Sequence, residues 1–213
     1  MVKQTPRIYV LAGTNGAGKS SIGGVMLIEQ GVEYFNPDDA ATLIADANPG
    51  IALEDAQSAA WQESKRLLER AIEERFDFAF ETTLGGSTIT TLLEKAIASG
   101  VEVRIWYVGL DSVELHIARV RARAAKGGHD IPDARIRERY ARSLLNLIRL
   151  MPKLTALRVY DNSVEADPDT GAVPEPRLIV HLDRGKLASV CELASTPVWA
   201  KPVVLTALKI SAG

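Results

Sequence analysis

Gly13-Thr14-Asn15-Gly16-Ala17-Gly18-Lys19-Ser20 matches the pattern G-x-x-x-x-G-K-[ST] at every fixed position. The motif follows the apolar run at residues 8–12 and precedes a helical pattern over residues 19–30, so it joins a predicted strand to a predicted helix. A glycine-rich loop in this setting turns backbone N–H groups inward around phosphates, and the helix N-terminus adds its dipole. Lys19 would reach the β- and γ-phosphates, and Ser20 would offer its hydroxyl to Mg2+. The stretch, together with Ser21, therefore predicts a nucleoside triphosphate site.

The composition is that of an ordinary folded protein of one α/β domain. The 213 residues are 46% hydrophobic and 24% charged, which is typical of globular proteins. A net charge of −2 argues against a nucleic-acid coat or a polybasic membrane anchor. No apolar run approaches the ~20 residues of a membrane helix, and the first residues lack the order of a secretion signal. Cys191 is the single cysteine, so we expect no internal disulfide and a cytoplasmic protein.

Acidic residues follow two of the predicted strands. Asp38 and Asp39 come after a predicted strand at residues 33–36, and Glu81 comes after one at residues 76–80. The carboxyl ends of parallel strands face the ligand crevice, so we expect these acids at the same edge as the phosphate loop. A carboxylate there could accept the proton of an attacking hydroxyl or bind Mg2+ through water. Alternatively, either aspartate caps the next helix, and Glu81 is a solvent-facing or capping residue.

A strongly basic region extends from Arg119 to Lys153, with ten Arg or Lys residues against three acids. Such an excess in a phosphate-binding protein suggests that part of it meets anions, although many surface helices carry basic faces without that role. Residues 127–132 interrupt the region between two predicted helices. A flexible break of this kind suits a lid that closes over a substrate. A plain helix connection with a glycine C-cap is the alternative.

The order of these landmarks resembles the zeta-toxin-like family within the P-loop kinases. The phosphate loop alone is common to many NTPases, so the specificity of the resemblance comes from the later blocks and their spacing. It covers about residues 5–165 and includes, after the phosphate loop, Phe35-Asn36-Pro37-Asp38-Asp39-Ala40-Ala41, Glu81-Thr82-Thr83-Leu84, Arg119-Val120-Arg121-Ala122-Arg123, Gly127-Gly128-His129-Asp130-Ile131-Pro132, the Arg137-Arg139-Tyr140 helix and Tyr160-Asp161-Asn162-Ser163. The residues that follow depart from the toxin pattern.

The resemblance implies an enzyme that uses ATP or GTP with Mg2+ to phosphorylate a hydroxyl of a small molecule. In the toxin branch of the family, that molecule is a UDP-N-acetylated amino sugar of cell-wall synthesis. Two alternatives stay open: another P-loop kinase, acting on an antibiotic, a sugar or a nucleoside, and a nucleotide-binding switch module without transfer activity. An antitoxin-like protein partner is a further expectation, whereas nucleic acid and membrane are not expected as partners.

The same resemblance implies roles for individual residues. Asp38 corresponds to the family's catalytic aspartate, and it is also expected near the metal with Ser20. Arg119 corresponds to the arginine that approaches the phosphates from the lid helix, and it is predicted to be catalytic with Asp38 and Lys19. Four further residues are expected to join Asp38 in binding the acceptor, namely Glu81, Thr82, Arg123 and His129, where His129 falls at or near the family's basic lid residue.

These predictions combine into a P-loop NTPase fold, with α/β/α layers around a central, mostly parallel five-stranded sheet, a helical lid and a small C-terminal extension. We expect residues 1–165 to form the P-loop kinase domain, with the lid around residues 119–140. Residues 166–213 are expected to form an extension packed on the same domain. In that extension, residues 177–182 predict a strand and residues 187–194 a helix or a strand, whereas the tail from Thr196 onward predicts no element.

Overall fold

The computed structural model describes residues 5–20, 34–128, 130–165 and 174–213. The strands in these ranges are β1 (Arg7–Ala12), β2 (Phe78–Thr82), β3 (Glu102–Gly109), β4 (Ala156–Asp161), β5 (Arg177–Asp183) and β6 (Lys186–Val190). The helices are α1 (Pro37–Ala47), α2 (Leu53–Glu74), α3 (Ser87–Ala98), α4 (Val113–Ala124), α5 (Asp133–Leu150) and α6 (Lys201–Ala212). The predicted helix after the phosphate loop begins at Lys19 and Ser20, and its remaining residues lie outside the described ranges.

The strands form one sheet in the order β2-β1-β3-β4-β5-β6. The first four strands are parallel to one another, and β5 and β6 run antiparallel. Phe35 adds a single parallel bridge to Phe80 on the outer side of β2, where a short strand was predicted. The mostly parallel α/β fold is confirmed. The predicted strand at residues 33–36 supplies only this bridge, whereas β5 and β6 both join the sheet, which has six strands in the described part of the chain and not the five expected.

Alternating side chains of β1 enter two different cores. Ile8, Val10 and Ala12 belong to the larger core, which also takes residues from α2, α3, α5 and α6. Tyr9 and Leu11 belong to the core on the opposite face. A strand buried on both faces reads as a continuous apolar run, and this explains why the sequence of β1 was recognisable. Its carboxyl end leads directly into the phosphate loop.

The tail that predicted no element forms part of the larger core. Trp199, Val203, Val204 and Ala207 are buried there. The Trp199 indole lies so close to Gly109 that a Cβ on Gly109 would collide with the ring, and its Nε1–H donates to Asp161 Oδ1 at 3.1 Å. The end of the chain therefore packs directly behind the carboxyl ends of β3 and β4.

Replacement of Trp199 by alanine is expected to destabilise the protein by about 3–5 kcal/mol, because it leaves a cavity in the core. Urea-induced unfolding measures this change. Trp61→Ala is the matched control, since Trp61 is 40% exposed and its loss is expected to cost less than about 1 kcal/mol. Equal midpoints for the two variants would contradict a structural role for the C-terminal segment.

Candidate active site

The phosphate loop leaves β1 in a backbone conformation that favours glycine at three points, Gly13, Gly16 and Gly18. Gly13 has φ +143° and Gly16 has φ +83°, a region that side chains other than glycine rarely adopt. A Cβ on Gly13 would collide with the Val108 carbonyl, and one on Gly16 would lie 2.6 Å from the His116 carbonyl oxygen. The loop is thus held tightly between β3 and α4. Ser21, predicted with this set, lies outside the described residues.

Lys19, Ser20 and Glu81 form a cluster at the head of the loop. Lys19 Nζ lies 3.3 Å from Glu81 Oε1, and the two side chains are only 6% and 8% exposed. Ser20 Oγ donates to Glu81 Oε2 at 3.1 Å. A buried ammonium group is costly without a partner, so the Glu81 carboxylate neutralises Lys19. We had expected Glu81 to follow a strand at residues 76–80. In the structure it is instead the fourth residue of β2.

The cluster fits a magnesium ion held jointly with a nucleotide. The described residues contain no group of three or more His, Cys, Asp or Glu side chains that could hold a metal alone. Mg2+ usually keeps several waters and takes one or two protein ligands together with substrate phosphates. The Ser20 hydroxyl and the neighbouring Glu81 carboxylate supply such a partial set. The Thr14 hydroxyl is buried without a hydrogen-bond partner among the described residues, which agrees with a loop built to receive another polar group.

Asn36 caps α1, and neither aspartate does. Its side-chain oxygen accepts from the Asp38 N–H at 3.0 Å, and its Nδ2 donates to Asp39 Oδ2 at 2.9 Å. The prediction that Asp38 or Asp39 could be the cap is therefore wrong, because the preceding residue already fills that position. Among the described residues no side chain hydrogen-bonds to the Asp38 carboxylate, which is exposed. Asp38 is thus the acid of the pair that is available to a substrate.

Two cavities meet at the head of the phosphate loop. One, of about 300 Å³, is lined by the loop together with Arg119 and Arg123, and we call it the nucleotide-side cavity. The other, of about 340 Å³, extends between α2, α5 and the segment after β2, and we call it the acceptor-side cavity. The residues that line both are Asn15, Lys19, Asp38 and Glu81. The structure thus brings the loop and both predicted acids to one junction.

The acceptor-side cavity has mixed polar, cationic and aromatic walls. Thr82 and Thr83 line it from the end of β2, and Trp61 lines it from α2. The next residue, Leu84, is buried and has φ +54°. This backbone conformation is strained for residues other than glycine. Three arginines come from α5: Arg135, Arg139 and Arg142. Asp38, Glu81 and Thr82 were predicted to bind the acceptor, whereas Trp61, Thr83 and the three arginines were not predicted.

Arg119 and Arg123, the two arginines of the predicted lid, lie on α4 and line the nucleotide-side cavity. Arg119 Nη2 donates to the Val164 carbonyl at 3.3 Å. Arg123, predicted to contact the acceptor, lies on the nucleotide side, because it follows Arg119 by one helical turn and faces the same way. After α4, Gly127 has φ +88° and the Gly128 N–H bonds to the Arg123 carbonyl at 3.0 Å. These contacts form the glycine C-cap that was the alternative to a lid hinge. His129, predicted to bind the acceptor, lies outside the described residues.

Much of the basic excess is neutralised on the surface. Six residues of the region form ion pairs with acids: Arg121 with Asp133, Arg135 with Glu54, Arg137 with Glu114, Arg142 with Glu138, and Arg149 and Lys153 with Glu94. Burial lowers the pKa of Arg139 and the nearby Arg135 lowers it further, while Asp38 opposes both effects. The part of the region that faces the cavities is therefore smaller than the sequence suggested.

Three residues near the junction had no predicted role. Arg139 Nη1 donates to Asn15 Oδ1 at 2.8 Å, Asn162 Nδ2 donates to the Ala17 carbonyl at 2.9 Å, and His116 Nδ1 lies 2.8 Å from the Asn15 carbonyl oxygen. All three reach the phosphate loop from more than 100 positions away. His116 shares the buried face of α4 with Ile117 and Val120. That spacing was the signal from which its burial could have been predicted.

No helix in the described part of the chain is both long enough and apolar enough to span a bilayer.

A profile of the family described as zeta toxin matches residues 2–168. An uncharacterised protein of Haemophilus influenzae is 33% identical over 140 residues, which are 65% of this chain and 95% of that protein.

Two solved structures share the fold at low sequence identity. The crystal structure of AvrRxo1-ORF1:-ORF2 with ATP matches with a TM-score of 0.66 and 16% identity, covering 98% of this chain and 64% of that chain. The PezAT toxin-antitoxin system of Streptococcus pneumoniae matches with a TM-score of 0.52 and 14% identity, covering 75% and 68%. Since the family profile spans most of the chain, including the phosphate loop, both junction acids and the lid arginines, this protein belongs to the zeta toxin family.

Proposed function

We propose that the protein is an ATP-dependent kinase that transfers the γ-phosphoryl group to a hydroxyl of a small molecule. The observation that supports this most directly is the junction, where Lys19, Asp38 and Glu81 line both cavities. A nucleotide in one cavity would direct its last phosphate toward an acceptor in the other. The ATP in the AvrRxo1-ORF1:-ORF2 structure favours ATP over GTP as the donor.

In this mechanism the protein mainly positions and neutralises charge, as is general for phosphoryl transfer. Lys19 and the loop amides hold the β- and γ-phosphates. Asp38 takes the proton of the acceptor hydroxyl, whose oxygen then bonds to the γ-phosphorus. The bond from that phosphorus to the β,γ-bridging oxygen breaks, and ADP leaves. Arg119 stabilises the negative charge on the transferred group.

A magnesium ion bound at Ser20 and the phosphates would neutralise part of the triphosphate charge. The Glu81 carboxylate, which accepts from Ser20 Oγ and lies beside Lys19 Nζ, would help to hold that ion. In this role Glu81 acts on the nucleotide side of the junction, whereas Thr82 is still expected to bind the acceptor.

We infer a UDP-N-acetyl amino sugar as the first acceptor to test. The acceptor-side cavity is lined by Arg135 and Arg142, and a diphosphate could replace their exposed partners Glu54 and Glu138. The cavity also offers the Trp61 ring, on which a base or a sugar can stack, and the Thr82 hydroxyl for sugar hydroxyls. An antitoxin-like protein partner is a second proposal, which rests on the two-component complexes among the structural relatives.

The test is to incubate the protein with ATP and Mg2+ and to follow ADP release and phosphate transfer by 31P NMR. UDP-N-acetylglucosamine, UDP-N-acetylgalactosamine, UDP-glucose and free N-acetylglucosamine are the acceptors. At least one UDP-sugar is expected to raise ADP release by about tenfold or more over the rate with water alone. Phosphorylation of free N-acetylglucosamine instead would identify another kinase branch. Hydrolysis that no acceptor accelerates would favour the nucleotide-dependent switch.

A further inference from the structure

His116 connects the lid helix α4 to the phosphate loop. It is 1% exposed and its Nδ1 lies 2.8 Å from the Asn15 carbonyl oxygen. A carbonyl oxygen only accepts hydrogen bonds, so the proton must lie on Nδ1. The bond joins residues 101 positions apart and holds the peptide between Asn15 and Gly16 against the helix.

The surroundings of His116 leave it little freedom. Its own carbonyl oxygen faces Gly16, where even a Cβ would approach to 2.6 Å. Its ring packs edge-on against Tyr140 of α5, with centroids 5.4 Å apart. Burial lowers the pKa of His116 to about 4, and the charges of Lys19 and Arg119 act in the same direction. The imidazole is therefore neutral near pH 7 and donates to the loop without adding charge.

Asn15 is held from both lid helices. His116 of α4 binds its backbone carbonyl, and Arg139 of α5 binds its side-chain oxygen at 2.8 Å. Asn15 lines both cavities. Arg119 lies three residues after His116, on the same helix and over the nucleotide-side cavity. A shift of α4 at His116 would displace Arg119, and a shift of Asn15 would displace Arg139.

We propose that His116 is a positioning residue that docks α4 on the phosphate loop and thereby places Arg119 and Arg139 for phosphoryl transfer. The proposal rests on the proposed kinase function. His116 contacts the loop backbone and lies outside the cavity linings, so it acts through Asn15 and the arginines. A purely structural histidine would contribute packing alone, and the experiment must separate these two roles.

The variants His116→Asn and His116→Leu introduce side chains of similar shape. Only the asparagine side chain can donate a hydrogen bond. The asparagine Nδ2 falls close to the place of the histidine Nδ1 and can still donate to the Asn15 carbonyl. In the leucine variant that carbonyl loses its partner, and in the asparagine variant the new amide oxygen is buried. Each variant thus leaves one buried oxygen unpaired, so we expect their melting temperatures to be similar.

Transfer to the acceptor found in the panel and ATP affinity are measured on both variants. We expect kcat to fall by about 10- to 100-fold in His116→Leu, because small displacements of catalytic groups have effects of that size. His116→Asn is expected to recover most of this loss. The dissociation constant of ATP should change by less than about threefold in both, since Lys19 and the loop amides remain.

Amide hydrogen exchange of residues 113–124 provides a readout without catalysis. Exchange is expected to be faster in His116→Leu than in the parental protein, with His116→Asn close to parental. Equal exchange and equal kcat for the two variants would overturn the proposal and leave His116 as a packing residue. If the parental protein transferred no phosphoryl group, the kinase function would fail, and the exchange data alone would decide whether His116 docks α4.

Discussion

Replacement of Asp38 by asparagine is expected to lower the rate of phosphoryl transfer by about 10²–10⁴-fold, the usual contribution of a general base. The amide keeps the size of the carboxylate but cannot take the proton of the acceptor hydroxyl. ATP affinity should stay the same or tighten slightly, because one negative charge near the phosphates is removed. The measurement is kcat with the acceptor found in the panel, together with calorimetric titration of ATP.

Asp39→Asn is the matched control for this experiment. Asp39 is the neighbouring acid on the same turn of α1 and is also exposed, but its carboxylate accepts from Asn36. Because the amide oxygen of asparagine can still accept that bond, kcat should remain near the parental value. Parental transfer by Asp38→Asn would rule out the base assignment. An equal loss in both variants would point to general electrostatics in place of a specific proton acceptor.

The stereochemistry of glycine made the phosphate loop predictable. Gly13 and Gly16 adopt positive φ values and lie against neighbouring backbone, so the residue type follows from the local geometry. The position of Asp38 and Glu81 was predictable for another reason, since parallel strands end at one edge of the sheet. The parallel strands predicted in this way are present, and the two acids lie where the two cavities meet.

What could not be predicted depends on contacts between distant segments. Asn36, Asp38 and Asp39 can all cap a helix, and only the backbone path shows that Asn36 does so. The pairing of Glu81 with Lys19 joins residues 62 positions apart, and no local pattern specifies it. His116 resembles any histidine on the buried face of a helix until the loop beneath it is known.

The C-terminal segment was unpredictable for a related reason. Helix α6 is short and carries Pro202 in its first turn, and its apolar residues show little periodicity by themselves. Its Val203, Val204 and Ala207 pack in the same core as the sheet. This packing stabilises the helix, as tertiary contacts do for most helices. The division into a kinase domain at residues 1–165 and an extension at residues 166–213 packed on that domain remains a prediction.

Glu81→Ala is expected to lower the stability of the nucleotide-free protein strongly. It leaves the Lys19 ammonium, which is 6% exposed, without its carboxylate. Removing one partner of a buried ion pair costs about 3–5 kcal/mol. For a protein of this size, that corresponds to a fall in Tm of about 6–20 °C. Thermal unfolding followed by circular dichroism gives the value directly.

Glu69→Ala serves as the control on the surface. Glu69 pairs with Lys65 at 3.0 Å, but these side chains are 35% and 32% exposed. Exposed pairs contribute about 0–1 kcal/mol, so this variant should melt within a few degrees of the parental protein. The contrast between the two Lys–Glu pairs then isolates the effect of burial.

ATP should restore much of the stability that Glu81→Ala loses. In the nucleotide-free protein the Glu81 carboxylate neutralises Lys19, and in the variant the phosphates of ATP can take its place. The rise in Tm on adding ATP in EDTA is therefore expected to be larger for Glu81→Ala than for the parental protein, since a ligand that binds the native state more tightly stabilises it more. EDTA separates this effect from any contribution of Glu81 to Mg2+ binding. A variant that melts like the parental protein and gains no more from ATP would show that Lys19 does not depend on Glu81, and Glu81 would then return to the acceptor side of the junction.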